Sequence, residues 1–141
     1  MRQARTVVLD NEAVQALADP AYHRHRRMLA VVEAVVARNL RRAGAVRLLV
    51  PICVRVEAGW SRREPGAAMV NRLRIDDIAL DTLAADEAAG IRSSLGVSVA
   101  DAHLGAVLGA TAGPHAVITS DADDLRRIAT HLGIRPTVLT V

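Results

Sequence analysis

Short apolar runs alternate with helical patterns along this chain, and this alternation limits the folds that it can adopt. The runs lie at 6–9, 46–50, 115–119 and 137–141, with a less hydrophobic one at 75–80. Strands that alternate with helices are typical of a mainly parallel sheet covered on both faces. The pattern therefore predicts a three-layer α/β/α fold of the α/β class, with a central sheet of four to five strands.

The helices are predicted from apolar residues at three- and four-residue spacing and from the turn residues that end them. The longest runs from about Tyr22 to Ala43, and Gly44 ends it. The others are predicted at 11–19, 54–63, 67–72, 83–95, 100–110 and 123–132. Because these 141 residues contain no recognisable linker, we expect a single domain over 1–141.

The composition restricts the class of ligand. The chain has one Trp, one Tyr and no Phe, which argues strongly against a nucleic-acid module that stacks bases on aromatic platforms. All 18 basic residues are Arg, and the formal net charge is +3. This charge favours a polyanionic partner over a polycationic one.

The sequence also restricts the cellular compartment and the type of metal site that we expect. The first apolar run is far too short for a signal peptide or a membrane span, so we expect a cytoplasmic protein without a membrane partner. Cys53 is the sole cysteine, and the five histidines show no paired metal spacing. If a metal binds, oxygen ligands and therefore Mg²⁺ or Mn²⁺ are expected.

Four carboxylates fall where the predicted fold brings them together. Asp10 ends the first strand and Asp121 directly follows the strand at 115–119, so both emerge at the carboxyl edge of a parallel sheet. Glu57 and Asp101 lie near the starts of helices that begin on the same side. Ligands of such sheets bind outside the carboxyl ends of the strands, so the four acids can line one cleft.

Each acid also has a purely structural explanation. Asp101 can stabilise a helix N-terminus through the macrodipole, and Asp121 can cap the last helix, with Asp123 or Asp124 in its first turn. Glu57 is harder to explain in this way, because its neighbours in sequence are apolar and an unpaired buried charge is costly. A bound metal ion would remove that cost.

The ordered set of motifs resembles the PIN domain, and most closely the VapC-type ribonuclease toxins of bacterial toxin–antitoxin pairs. The resemblance covers essentially the whole chain as a single PIN-like nuclease domain. It rests on Val8-Leu9-Asp10, Val56-Glu57, Ser98-Val-Ala-Asp101-Ala102 and Thr119-Ser-Asp-Ala-Asp-Asp-Leu125. It implies a metal-dependent endoribonuclease that acts on RNA, is silenced by a cognate antitoxin and forms a homodimer.

The resemblance also implies roles for individual residues. The expected ligands of one or two Mg²⁺ or Mn²⁺ ions, and hence the catalytic acids, are Asp10, Glu57, Asp101 and Asp121. Asp123 would be an auxiliary acid at the metal site, and Thr119 a supporting hydroxyl. One position departs from the family, whose members commonly carry a small hydroxyl or amide residue where this chain has Glu12.

Three other interpretations remain to be compared with this one. The chain could be a PIN-type nuclease for DNA or structured RNA outside a toxin pair, or a catalytically silent binding module that keeps the fold. A receiver domain of a response regulator also clusters acids at strand ends. It needs a lysine near the end of a later strand, and this chain has none.

Several basic and isolated side chains have both a functional and a structural explanation. The candidates for phosphate contact, each equally explained as part of a solvated face, are Arg55, Arg62, Arg63, Arg72 and Arg74. We interpret the basic cluster at 23–27 as an exposed helix start. Helix geometry turns His103 away from Asp101, so a packing or surface role is expected for it. Cys53 is expected to be a small buried hydrophobic residue, and Trp60 to fill the core instead of anchoring an interface.

Overall fold

The strands form one central sheet in which every neighbouring pair is parallel. A computed structural model describes residues 4–41 and 46–140. The strands are β1 (Thr6–Leu9), β2 (Arg47–Pro51), β3 (Asp76–Ile78), β4 (His115–Thr119) and β5 (Thr137–Thr140). Their order across the sheet is β3-β2-β1-β4-β5. The predicted α/β class is confirmed, with all five strands parallel.

Helices connect the strands and cover the sheet. They are α1 (Asn11–Ala18), α2 (His25–Arg41), α3 (Ile52–Ala58), α4 (Ala68–Asn71), α5 (Thr82–Leu95), α6 (Val99–Ala110) and α7 (Ala122–Leu132). A 3₁₀ turn, Pro65–Ala67, precedes α4. As the N-terminus of a crossover helix lies at the carboxyl end of the preceding strand, α1, α3 and α7 all begin at one edge of the sheet.

The side chains of the central strand show how the three layers pack. Val7 and Leu9 of β1 face α1, α2 and α3, whereas Val8 between them faces α6 and α7. This is the alternation expected of a pleated strand, and all three side chains are buried. Helix α5 packs on α6 through a third apolar cluster that includes Ile91 and Ile128. Burial of each such side chain contributes about 1.5 to 3 kcal/mol.

The register between β1 and β4 determines the position of the candidate site. Thr6 lies opposite His115, and Leu9 lies opposite Ile118, so the two strands end together. The backbone N–H of Asp10 continues this pairing by donating to the carbonyl of Ile118 at 3.0 Å. Asp10 and the end of β4 are therefore neighbours, as the parallel arrangement predicted.

Three predicted elements have different bounds in the structure. The helix predicted over 54–63 is α3, which already ends at Gly59, where a φ of 70° requires the left-handed conformation that glycine readily adopts. The long helix begins at His25 instead of Tyr22, because Asp19-Pro20 is followed by a turn. The strand predicted over 75–80 is reduced to β3. The predicted end of the long helix fell on residues 42–44, which lie outside the described part of the chain.

Candidate functional site

Asp10 is held at the edge of the sheet by two hydrogen bonds that use its two carboxylate oxygens differently. Oδ1 accepts from the backbone N–H of Asn11 at 2.7 Å and so caps α1. Oδ2 accepts from the Thr119 hydroxyl at 2.6 Å. Thr119 is fully buried, and its Oγ1 also accepts from the backbone N–H of Asp121 at 2.9 Å. The hydroxyl therefore links the ends of β1 and β4 and fixes the direction of the Asp10 carboxylate.

Asp101 lies in the first turn of α6, and its carboxyl group has a strongly raised pKa. Ser98 caps the helix by accepting from the Asp101 N–H at 3.1 Å. Burial and, after it, the negative charge of Asp10 raise the pKa of the Asp101 carboxyl to about 6. The Ser98 hydroxyl acts in the opposite direction, while Asp124 and Glu57 contribute smaller increases. Asp10, Asp124 and Glu57 therefore lie close enough to Asp101 to raise its pKa.

Glu57 belongs to this group, but not in the environment predicted from its apolar sequence neighbours. The prediction of buried surroundings is wrong: both Glu57 and its neighbour Val56 are exposed, and Val56 has an exposed fraction of 77%. Val56 is turned away from Val54, through which α3 packs, and Glu57 lies in the last turn of this short helix. Glu57 therefore faces solvent near Asp101, and burial imposes no electrostatic cost that a metal ion must remove.

The three acids at the start of α7 have three different environments. Asp121 caps the helix by accepting from the N–H of Asp124 at 3.2 Å, as its structural explanation predicted. Asp123 points to solvent, with 93% of its side chain exposed and an ion pair to Arg126 at 3.1 Å. Asp124 pairs with Arg127 at 3.2 Å and also raises the pKa of Asp101. Of the first-turn acids, Asp124 is therefore the one electrostatically coupled to Asp101.

Glu12, the position that departs from the PIN pattern, lies beside the same edge. Its carboxylate accepts hydrogen bonds from the hydroxyl of Tyr22 and from the Arg24 guanidinium, the latter at 3.0 Å. Hydrogen bonds from Ser120 and Tyr22 lower the pKa of this carboxyl, and the charges of Arg24 and His23 lower it further. Sequence reasoning missed this group because its members lie in three separate segments of the chain.

The donor chemistry of the cleft fits a hard divalent cation. Asp10, Asp101 and Glu57 offer carboxylate oxygens, the ligands that Mg²⁺ and Mn²⁺ prefer. Burial first, and the charge of Asp10 second, raise the pKa of Asp101, and a bound cation would favour the ionised form of this carboxyl group. One residue from Asp10, the side-chain oxygen of Asn11 is buried without a hydrogen-bond donor. Across residues 4–41 and 46–140, no three His, Cys, Asp or Glu side chains form a preformed ligand group.

Two of the candidate phosphate-binding arginines are committed to a different cluster. Arg55 and Arg62 both pair with Asp77 of β3, at 2.6 Å and 3.1 Å. Their guanidinium carbons lie 5.1 Å and 4.6 Å from the ring centroid of Trp60. We call Arg55, Trp60, Arg62 and Asp77 the arginine–tryptophan cluster. Trp60 is buried, as expected, and the cluster ties the end of α3 to the edge strand.

The other three candidate arginines and the basic segment at 23–27, where α2 begins, are mostly exposed. Arg63, Arg72 and Arg74 face solvent. The interpretation of 23–27 as an exposed helix start holds for most of the segment, but His25 is buried and its Nδ1 lies 2.7 Å from the Ala16 carbonyl. This contact joins α2 to α1.

His103 fills space inside the molecule, as predicted. It is fully buried, and its Nδ1 accepts from the backbone N–H of Cys53 at 3.3 Å. Burial lowers the pKa of the imidazole, while the carbonyl of Ala79 and the charge of Asp81 act against this shift. Cys53 is partly buried and packs against the core, as expected of a small hydrophobic residue. Burial raises the pKa of its thiol.

Comparison with known proteins adds no identification. The sequence matches no model of a protein family, and a search of curated proteins finds no match. In the described ranges, no helix combines the length and the apolar character needed to cross a membrane.

Proposed function

We propose that this chain is a metal-dependent endoribonuclease of the PIN type that hydrolyses RNA phosphodiester bonds and acts as the toxin of a toxin–antitoxin pair. The observation that carries the proposal is geometric: Asp10 stands at the carboxyl edge of the parallel sheet, where a 2.6 Å hydrogen bond from Thr119 directs its carboxylate. The raised pKa of Asp101, to which the charges of Asp10, Asp124 and Glu57 contribute, supports it. A set of like charges at a ligand-binding edge opposes folding and is typical of a functional site.

The acids have distinct roles in this proposal. Asp10 and Asp101 hold Mg²⁺ or Mn²⁺, with Glu57 and Asp121 completing the ligand set directly or through water. When bound, the metal supplies an activated water and offsets charge on the phosphoryl oxygens. Thr119 keeps the Asp10 carboxylate directed by its 2.6 Å hydrogen bond. Because Asp123 pairs with Arg126 in solvent, Asp124 replaces it in our proposal as the auxiliary acid.

The macromolecular partners follow from the resemblance to VapC-type toxins. RNA is the proposed substrate, a cognate antitoxin covers the cleft, and two copies form a homodimer in the cytoplasm. The Arg-only basic composition supports a polyanionic substrate. Mg²⁺ retains several of its waters when bound to protein, which leaves room for a phosphate group at the cleft.

The test combines metal binding with substrate choice. The purified chain, without a partner, is expected to gain thermal stability with Mg²⁺ or Mn²⁺ and to cleave single-stranded RNA only with metal. EDTA should reverse both effects, because binding to the folded state stabilises it by mass action. Unchanged melting and no RNA cleavage at saturating metal would overturn the proposal. Cleavage of single-stranded DNA at an equal rate would instead favour a PIN-type nuclease outside a toxin pair.

A further inference from the structure

The segment just before α2 brings two aromatic rings next to the acidic cleft. Their ring centroids, in Tyr22 and His23, are 4.8 Å apart, and the ring planes are inclined by 38°. Tyr22 is half-buried and His23 is exposed. In a chain with one Tyr, one Trp and no Phe, and with Trp60 buried elsewhere, this pair contains the accessible tyrosine ring of the described residues beside an exposed imidazole.

Glu12 fixes the position of this pair. Its carboxylate accepts from the Tyr22 hydroxyl and from Arg24 on the far side of the pair. The positive charge of His23 also acts on Glu12. Both ends of the short segment are therefore attached to one carboxylate, which restricts the ring of Tyr22 without covering that of His23.

The same carboxylate connects the rings to the cleft. Glu12 follows Asp10 by two residues in α1, and it also accepts from the side chain of Ser120. Ser120 stands between Thr119, which donates to Asp10, and Asp121, which caps α7. The ring pair therefore lies along the same edge of the sheet as the acids, on the side of β1 and β4.

We propose that the Tyr22–His23 pair contacts a nucleobase of single-stranded RNA next to the phosphate held at the acidic cleft. This inference rests on the proposed ribonuclease function and names the residues that bind the nucleotide. Every base presents a π-face, so stacking on one side chain binds RNA without strong sequence choice. The composition argues against a module built on aromatic platforms, and the proposed contact departs from that expectation at one place only.

The chemistry of the segment suits this role. Phosphate contact alone would need only arginine, yet two of the five candidate arginines are occupied in the arginine–tryptophan cluster. Arg24 is paired with Glu12 at 3.0 Å, which offsets its charge next to the rings. The surface offered to the substrate is therefore aromatic, and it adjoins a site with the oxygen ligands that a metal–phosphate complex needs.

The test separates contact with the base from contact with the phosphate. Fluorescence anisotropy would measure binding of labelled oligouridine and of an abasic ribose-phosphate oligomer of equal length, in Ca²⁺, with integrity checked on a gel. The wild type is expected to prefer oligouridine. His23→Ala should reduce this preference about fivefold or more, since one stacked base is worth at least about that factor. Tyr22→Phe keeps the ring but loses the hydrogen bond to Glu12, and should reduce the preference less.

His131→Ala is the matched control, because His131 is an exposed histidine in the last turn of α7, away from the cleft. Equal effects of His131→Ala and His23→Ala would overturn the inference, as would a wild type without preference for oligouridine. Binding is measured without cleavage, so this result does not depend on activity. Hydrolysis of bis(p-nitrophenyl) phosphate, which has no base, tests the metal site: its absence contradicts the nuclease proposal even if oligouridine binds.

Discussion

Two groups of charged side chains, the acidic cleft and the arginine–tryptophan cluster, use similar residues and balance their charges in opposite ways. In the cluster, Asp77 has two guanidinium partners. Burial alone would raise the pKa of this carboxyl, but hydrogen bonds from Arg62 and Arg55 lower it overall. In the cleft, Asp10 and Asp101 have no ion pair among the described residues, and the pKa of Asp101 is raised to about 6.

The balance of charge distinguishes a structural polar cluster from a candidate site. Charges that satisfy one another stabilise the fold locally and leave little for a ligand to gain. Like charges held together oppose folding, and their persistence is explained when something outside the chain neutralises them. The predictions below test whether the two groups behave in these opposite ways.

The largest effect is expected from Asp10→Asn. Loss of one carboxylate charge should reduce metal-dependent RNA cleavage by more than the about 100-fold typical of residues that only support a metal ligand. The measurement is kcat/KM on single-stranded RNA at saturating Mn²⁺. Asp86→Asn, an exposed acid on α5, is the control and should leave the rate unchanged. An active Asp10→Asn protein would show that the acidic cleft is structural after all.

A smaller loss is expected from Thr119→Val, which removes the hydroxyl but keeps the shape of the side chain. Cleavage should fall by about 10- to 100-fold, because the Asp10 carboxylate loses its orienting donor. Thr6→Val is the control: Thr6 is also buried, and its hydroxyl donates to the Ala112 carbonyl at 2.9 Å at the opposite end of the sheet. Equal activity losses in both variants would indicate a general effect of buried hydroxyl groups.

A substitution in the arginine–tryptophan cluster should lower the stability of the folded protein. Asp77→Asn leaves two partly buried guanidinium groups without their carboxylate and should lower the free energy of unfolding at pH 7 by about 1 to 2 kcal/mol. Urea denaturation followed by Trp60 fluorescence measures this directly. Asp76→Asn, whose contact with Arg47 is 4.0 Å long and exposed, is the matched control with little expected change. The stabilisation from Asp77 should disappear below about pH 3.8, since its folded pKa is lowered.

The acidic cleft should give the opposite dependence of folding stability on pH. In metal-free buffer, the raised pKa of Asp101 means that the folded protein loses stability as pH rises from 3.8 to about 6. Solvent screening of this half-buried group reduces the effect to about 1 kcal/mol. Comparing urea denaturation curves across this range for the wild type and Asp101→Asn isolates the contribution. The comparison between the two groups fails if Asp101→Asn is less stable than the wild type at pH 7.5.

The sequence predicts well what depends on neighbouring residues. The bounds of β4, the helix predicted over 100–110 and the position of Asp121 follow from local patterns of apolar, turn and capping residues. The meeting of Asp10 with Thr119 also follows, because parallel strands end at one edge.

Contacts between distant segments were not predictable in the same way. The pairing of Arg55 with Asp77 joins residues 22 positions apart, and nothing local distinguishes these side chains from solvated ones. The exposure of Glu57 depends on where α3 ends and on which side it packs. The cluster around Glu12 depends on a turn before α2 that apolar periodicity does not reveal.

The pairing of the first strand with the fourth has a consequence for biosynthesis. Asp10 and the hydroxyl that orients it are separated by 109 positions, and β1 lies between β2 and β4 in the sheet. During translation, the first strand has its second neighbour only after residues 115–119 have been made. A nascent or prematurely terminated chain that lacks β4 therefore has no assembled cleft, so any activity of this site appears only after β4 has been synthesised.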